Sequence, residues 1–316
     1  MPIAPRFSVV IPTRGDTPHL RSALASALSQ GPDLEALVAH AAGSPLPKEL
    51  LADDRVIGVA TASNSPGGRR NAALSVARGP YVAFLDDDDL WLPGYLAAGA
   101  ADFDRDPRLV AVVSDAWLFE DESPGGSGEP PIDLSRLPRF LGPGPSFEPT
   151  PRELLVRNVL LTPAVIVRRE ALAAVGGFDG DLAAMEDWDL WIRLAQRGRI
   201  QVVREPRVIV RRRPASASRD LRAMASCGVE VARRALEAGT AMTEEERREL
   251  LGRLWHDLAY ACLRADDAEG ARRAARRAIA LVPGRGKNYV YWLAGLAPSV
   301  VRRGVFRATR PPGSRP

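Results

Sequence analysis

Four short apolar runs, Phe7–Ile11, Leu34–Ala39, Val56–Ala60 and Tyr81–Leu85, recur at intervals separated by helix-patterned or turn-forming stretches. The runs are almost continuously apolar. A strand of that kind is covered on both faces, which is the condition of a parallel sheet with helices above and below. The intervening segments read as helices over 17–30, 66–77 and 92–103. In the first of these Leu20, Ala23, Leu24, Ala27 and Leu28 fall on one face. A further strand is expected at Leu109–Ser114. The pattern predicts an α/β fold with a mostly parallel sheet.

Pro and Gly then crowd residues 121–151, which reads as a long loop of the kind that is usually functional or disordered. Beyond it come a strand (Ala164–Val167), a helix (Arg169–Val175), a Gly176–Gly177 turn, a helix (Glu186–Arg197) and two short strands (Gln201–Val203, Arg207–Val210). After about Ser218 only helical periodicity remains, in two or three amphipathic helices running to Ala280. His256–Pro283 is weakly similar to one tetratricopeptide helix pair, and one such pair is too few for a solenoid. Two domains are expected: 1–218, which carries the chemistry, and 219–316, an all-helical appendage.

Charge divides along the same line. From Arg219 onward there are 19 basic residues against 11 acidic, while the first 218 residues hold 24 against 28. All but Lys48 and Lys287 of the 43 basic residues are arginine, which fits a GC-rich, bacterial genome better than a nucleic-acid partner. The basic excess is dispersed and lacks interleaved stacking aromatics, so no nucleic acid is expected. Two cysteines, Cys227 and Cys262, exclude a disulfide framework, and His19, His40 and His256 share no metal-ligand spacing. Neither a leader-like pattern nor an apolar run of about 18 residues is present, so a cytoplasmic location is expected. The segment 289–301, followed by Arg302, Arg303, Arg307 and Arg310, reads either as a docked terminal helix or as a peripheral contact with anionic lipid.

Three motifs carry chemistry. Asp86-Asp87-Asp88-Asp89 follows a buried strand, where α/β sheets bind ligands. Packed carboxylates there call for an offsetting cation such as Mg²⁺ or Mn²⁺ with phosphate oxygens. Gly67-Gly68-Arg69-Arg70-Asn71 opens a helix, whose N-terminus favours anions; by itself it reads first as a helix start with ordinary surface arginines, and alternatively as a site where Arg69 or Arg70 reaches a phosphate or base. Glu186-Asp187-Trp188-Asp189 begins another helix. It reads either as acids placed for the helix dipole or as a general base beside an aromatic platform.

These motifs resemble family 2 glycosyltransferases of the GT-A fold. The match comprises Val9–Thr13, Gly68–Asn71 with Ala77–Gly79, Phe84–Asp89, Arg168–Glu170, Val175–Asp179, Glu186–Leu190 and Ser216–Ser218, in family order over about 218 residues. The resemblance implies inverting transfer from a nucleotide-diphosphate sugar to a glycan, lipid-linked or small-molecule hydroxyl. It implies that Pro12, Thr13, Arg14, Arg70, Asn71, Asp86 and Asp87 contact the donor and that Asp86 and Asp88 hold Mn²⁺ or Mg²⁺. It further implies Asp187 as base, Glu186 as its orienting partner and Trp188 as acceptor platform.

Two departures stand out. Relatives usually carry Asp-Asp-Gly-Ser after the second strand, where this chain has Ala41-Ala42-Gly43-Ser44; base recognition is altered, and His40 is a candidate contact. Relatives often place a metal-ligating histidine where Arg213 stands, and a protonated guanidinium clamps a diphosphate rather than a metal. Arg213 is therefore a candidate donor-binding residue. The same departures motivate a second reading, a GT-A-like binding or regulatory protein that has lost catalysis.

Overall fold

The computed structural model describes residues 4–15, 19–121, 132–213 and 220–297. The Ser216–Ser218 motif and Arg302–Arg310 lie outside them. The described residues divide into two compact units. One holds every strand and the first six α-helices; the other holds the last four helices together with residues 183–185.

In the first unit β1 (Phe7–Pro12), β2 (Leu34–Ala41), β3 (Val56–Thr61) and β4 (Tyr81–Phe84) pair in parallel in the order β3-β2-β1-β4. The sheet continues through β7 (Val165–Arg168), β6 (Leu109–Glu120), β8 (Arg199–Arg212) and the two-residue edge strand β5 (Leu90–Trp91). β7 runs antiparallel to both neighbours, β6 and β8 are parallel, and β5 is antiparallel to β8. The sheet is therefore mixed, with most pairings parallel. Val9, Val10, Ile11, Ala36–Ala39 and Val82–Leu85 are wholly buried, which accounts for their unbroken apolarity.

The helices of this unit are α1 (Leu20–Leu28), α2 (Pro66–Leu74), α3 (Tyr95–Arg105), α4 (Pro151–Val156), α5 (Arg169–Val175) and α6 (Glu186–Ala195). Three expectations need correction. The helix expected at Leu92 starts at Tyr95. Leu90 and Trp91 instead pair with Ile209 and Val208, because the buried Trp91 donates from Nε1 to the Pro163 carbonyl at 2.8 Å and Gly94 turns the chain with φ of 82°. The two short strands after Gln201 are one long strand, β8, kept in register with β6 by irregularities at Ser114–Ala116 opposite Val203–Val208. Residues 132–150 are not a free loop. Trp117 bridges Arg139, Phe147 bridges Val202, and Arg139 pairs with the fully buried Asp115 at 3.0 Å.

Among the described residues the second unit contains three helices up to Leu281, α7 (Leu221–Glu237), α8 (Glu244–Arg264) and α9 (Ala268–Leu281), and a fourth, α10 (Gly286–Ala294), which overlaps the segment that offered a docked terminal helix. Asp220, Thr243 and Asp267 accept from the first free N–H groups of α7, α8 and α9, and Thr243 with Glu246 completes a capping box. Alanines 259, 271, 274 and 275 let the helices pack closely around Tyr291. On α10, Tyr289, Val290, Leu293 and Leu296 just beyond it are exposed. No helix among the described residues is long and apolar enough to cross a membrane.

Candidate active site

The parallel strands β1 and β4 end at the same edge of the sheet, Val10 beside Phe84, so the residues that follow them emerge together. Thr13 is buried there. Its Oγ1 donates to Asp87 Oδ2 at 2.6 Å, and its backbone N–H is tied to Ala39 O at 2.8 Å. Pro12 ends β1 beneath it and Arg14 is exposed beyond it. The antiparallel β7 begins at this edge, bringing the short 3₁₀ turn Thr162–Ala164 alongside, and β8 ends there with Arg211 and Arg213.

Arg70 joins the two acidic motifs. On α2 it is 5% exposed. Its Nη2 donates to Asp86 Oδ1 at 2.7 Å and its Nη1 to Glu186 Oε1 at 2.8 Å. Burial disfavours the guanidinium charge, but Asp86, Glu186 and Asp187 more than offset that cost and its pKa is raised. Close approach of α2 to α6 requires Gly67, where a Cβ would stand 3.1 Å from Glu186 Cγ and 3.3 Å from Phe178 Cβ. The Phe178 ring lies under Arg70 and packs edge-on against Phe84, so the guanidinium is held from below.

Asp187 sits in the first turn of α6. Thr162 Oγ1 donates to one carboxylate oxygen at 3.2 Å, and the Trp188 N–H donates to the other at 2.7 Å. Burial and the adjacent Glu186 raise its pKa to about 6, against the pull of Arg70 and these two donors. Met185, just before the helix, holds φ of 62°, a left-handed backbone that favours glycine.

The four strand-end acids divide by role. Asp89 is 2% exposed and accepts the Arg211 N–H at 2.7 Å, which anchors the end of β8. Burial and the repulsion of Asp88 and Asp86 raise it well above the usual carboxylate range. Asp87 is lifted to about 6, chiefly by burial and against the Thr13 hydrogen bond. Asp88 is raised by burial and by Asp86, opposed by Arg213, whose Nη2 pairs with Asp88 Oδ2. Asp86 and Asp88 keep partly accessible oxygen donors. Among the described residues no three His, Cys, Asp or Glu side chains converge on one point. The donor set suits a small divalent ion that takes one or two carboxylates and completes its shell with phosphate and water.

A family model for glycosyl transferase family 2 matches residues 8–172. The chain belongs to glycosyltransferase family 2. An uncharacterised glycosyltransferase, YwdF, of Bacillus subtilis is 27% identical over 202 residues, 63% of this chain and 71% of that one. Another, MJ1057 of Methanocaldococcus jannaschii, is 25% identical over 142 residues, 45% of each chain. S. aureus TarS 1–349, solved in complex with UDP-GlcNAc, superposes with a TM-score of 0.62 at 18% identity, covering 95% of this chain and 92% of that one. The mannosyltransferase PcManGT from Pyrobaculum calidifontis, solved with GDP-Man and Mn²⁺, gives 0.53 at 18% identity, covering 96% and 86%. These superpositions show the shared GT-A architecture.

Within this family 2 glycosyltransferase two expected contact residues are otherwise engaged. Asn71 donates from Nδ2 to Phe178 O at 2.7 Å and accepts the Phe178 N–H at 2.9 Å. Both ends of its amide are spent on tying α2 to the turn at Gly177, where a Cβ would collide with Asn71 Oδ1. Trp188 is 4% exposed and donates from Nε1 to Leu154 O at 2.6 Å. Its ring packs between α4 and α6 and offers no face to a sugar. His40 is buried, with Nδ1 against the carbonyls of Ala41 and Ser44 at 3.1 Å. Asp189 pairs with Arg193 at 2.6 Å, and Arg193 reaches the Val175 and Gly177 carbonyls, so this part of the motif is structural. Sequence reasoning passed over Thr162 as a partner of Asp187. No local pattern marks it, because only the antiparallel entry of β7 brings it there.

Proposed function

We propose that this glycosyltransferase moves a sugar with inversion from a nucleotide-diphosphate sugar to an acceptor hydroxyl, with Asp187 as general base. The observation that carries the proposal is the Arg70 bridge between Asp86 and Glu186, which puts the strand-end acids and the base motif on one guanidinium. The acceptor hydroxyl gives its proton to the Asp187 carboxylate as its oxygen bonds to the anomeric carbon. The bond from that carbon to the diphosphate oxygen breaks, and the leaving group departs with the electron pair. A carboxyl lifted to about 6 is matched to accepting a proton near neutral pH. Glu186, fixed by Arg70, orients the start of α6.

Pro12, Thr13 and Arg14 line the nucleotide side, with Asp87 held by Thr13. Asp86 and Asp88 would hold Mg²⁺ or Mn²⁺, which when bound offsets charge on the departing diphosphate. Arg213 already sits on Asp88 and adds a fixed positive charge to the same oxygens. The printed partners of the superposed structures, UDP-GlcNAc for TarS and GDP-Man with Mn²⁺ for PcManGT, support a donor of this class.

The test is a panel of nucleotide sugars assayed for transfer and slow donor hydrolysis, with Asp187→Asn as control. Turnover with one donor that disappears in the variant is expected, and turnover unchanged in Asp187→Asn overturns the assignment of the base. The second reading, a binding protein without catalysis, is favoured by Arg213 occupying Asp88 and by Ala41 and Ala42. It predicts donor binding with no turnover under any metal. A lipid-linked acceptor would use the exposed Leu293 and Leu296. Flotation with anionic vesicles that is lost in Leu293→Asp supports this peripheral contact, and no flotation of the wild type removes it.

A further inference from the structure

Arg69 and Arg70 are neighbours on α2 and equally buried, 6% and 5% exposed, yet their surroundings are opposite. The two Nη groups of Arg70 are each paired with a carboxylate. Arg211, with the same burial, donates to Asp121 Oδ2 at 2.9 Å and to Asp88 O at 3.0 Å. Arg69 has no hydrogen-bond or ion-pair partner for its side chain among the described residues; the Nε of both Arg69 and Arg70 is buried without an acceptor, so the difference lies in the Nη groups, paired in Arg70 and unpaired in Arg69. One helical position from Arg70 turns it about 100° around the axis, away from Glu186. Its charged surroundings there are Arg14, whose like charge opposes its own, and Asp87. Asp87 already accepts from Thr13. Burial and Arg14 push the Arg69 guanidinium down from its ordinary value.

A guanidinium cannot relieve this cost by deprotonating at physiological pH, and its donors need acceptors. Arg14 and Asp87 flank Arg69, and Asp87 is held by Thr13, at the edge that the proposed function gives to the donor. Resting on the donor-binding reading above, we propose that Arg69 is a nucleotide-binding residue whose guanidinium is completed by an acceptor oxygen of the donor nucleotide. That oxygen is either a phosphate oxygen or a carbonyl of the base, which share the chemistry of a strong acceptor facing paired N–H donors.

The experiment is calorimetric titration of the full chain, wild type, Arg69→Met, Arg69→Lys and the exposed control Arg105→Met. The probes are UDP, GDP, dTDP, CDP and ADP, then the parent nucleoside of whichever binds, and inorganic pyrophosphate. A charged hydrogen bond lost to an uncharged side chain predicts a drop of about ten- to a hundredfold in affinity for Arg69→Met, with Arg69→Lys between and Arg105→Met unchanged. A drop for the diphosphate and pyrophosphate but not the nucleoside assigns the phosphate. A drop for nucleoside and diphosphate alike assigns the base. Equal affinity in wild type and Arg69→Met overturns the proposal. Absence of nucleotide binding by the wild type removes the donor reading itself, and this proposal with it.

Thermal melting of the free proteins provides a second readout. Removal of an uncompensated buried charge predicts an unchanged or higher Tm for Arg69→Met. A clear fall in Tm marks a structural role and also overturns the proposal.

Discussion

The two acidic runs, Asp86–Asp89 at the end of β4 and Glu186–Asp189 at the start of α6, use the same residue types for opposite ends. In the first, the side chains of Asp86 and Asp88 each meet a guanidinium, Arg70 and Arg213, and Asp89 is built into the β8 anchor. In the second, Glu186 takes Arg70 and Asp189 takes Arg193, while Asp187 has no ion pair and only a threonine hydroxyl and one N–H. A carboxylate with a cation on it is suited to hold charge. A buried carboxylate without one is suited to receive a proton. Asp87, held by the Thr13 hydroxyl and also lifted to about 6, shares the state of Asp187, so the arginines separate the charge-holding acids from the rest and position separates Asp87 from Asp187.

The strongest break of this comparison is Asp187→Asn. Loss of the base predicts a fall in turnover of about 10²- to 10⁴-fold, read in a transfer assay. In the wild type, turnover rises with pH through about 6 as Asp187 ionises. Stability moves the other way. A carboxyl raised from 3.8 to about 6 on folding stabilises the fold fully below pH 3.8, and that contribution is lost as pH rises through about 6. Above that pH the neutral Asn removes a cost of up to about 3 kcal/mol at about 1.36 kcal/mol per unit. Melting at pH 7.5 is therefore expected to shift up in Asp187→Asn, with no such gain at pH 3.

Next in size is Arg70→Met, which strands the buried Glu186 and takes the partner from the partly accessible Asp86. A loss of about 3–5 kcal/mol in denaturant unfolding is expected, opposite in sign to Arg69→Met one residue away.

Arg213→Ala sharpens the first run. If Arg213 and a divalent ion share Asp88, removing the arginine strengthens Mn²⁺ binding by about tenfold, equivalent to about 1.4 kcal/mol, read by titration with Mn²⁺. It also makes activity more sensitive to EDTA. Full loss of activity in EDTA with an unaffected Arg213→Ala would refute a role for the arginine at the leaving group.

An effect of comparable size separates strut from contact. Asn71→Ala is expected to lower stability by about 1–3 kcal/mol through the unpaired Phe178 groups, with KM for the donor little changed. A raised KM at constant stability would return Asn71 to the nucleotide.

Much of this architecture was legible in the chain itself. Buried parallel strands must be apolar on both faces, so β1, β2 and β4 announce themselves, while β3 lies at the sheet edge with only Val56 fully buried. Acids after β4 and before α6 stand out because a buried strand and a helix start are local events. The edge strand β5 did not stand out, since two residues carry no period and its existence depends on β8 arriving opposite. The unity of β8 was hidden by Glu205-Pro206, which reads as a break and is accommodated as an irregularity against β6. The structural ties of Asn71 and Trp188 were hidden for a related reason. A polar amide and an indole look available in one dimension, and only packing reveals that Phe178 and Leu154 already take their hydrogen bonds.

The order of residues thus determined a two-sided α/β sheet, two carboxylate clusters and an arginine pair opening α2. Periodicity and residue chemistry are properties of neighbours along the chain. Only the tertiary structure decided that the Nη groups of Arg70 are paired and those of Arg69 are not, that Arg213 covers Asp88, and that Asp187 is left with a hydroxyl and one N–H for company. Charge compensation depends on distance and burial, and both are set by segments that meet only after the sheet has formed.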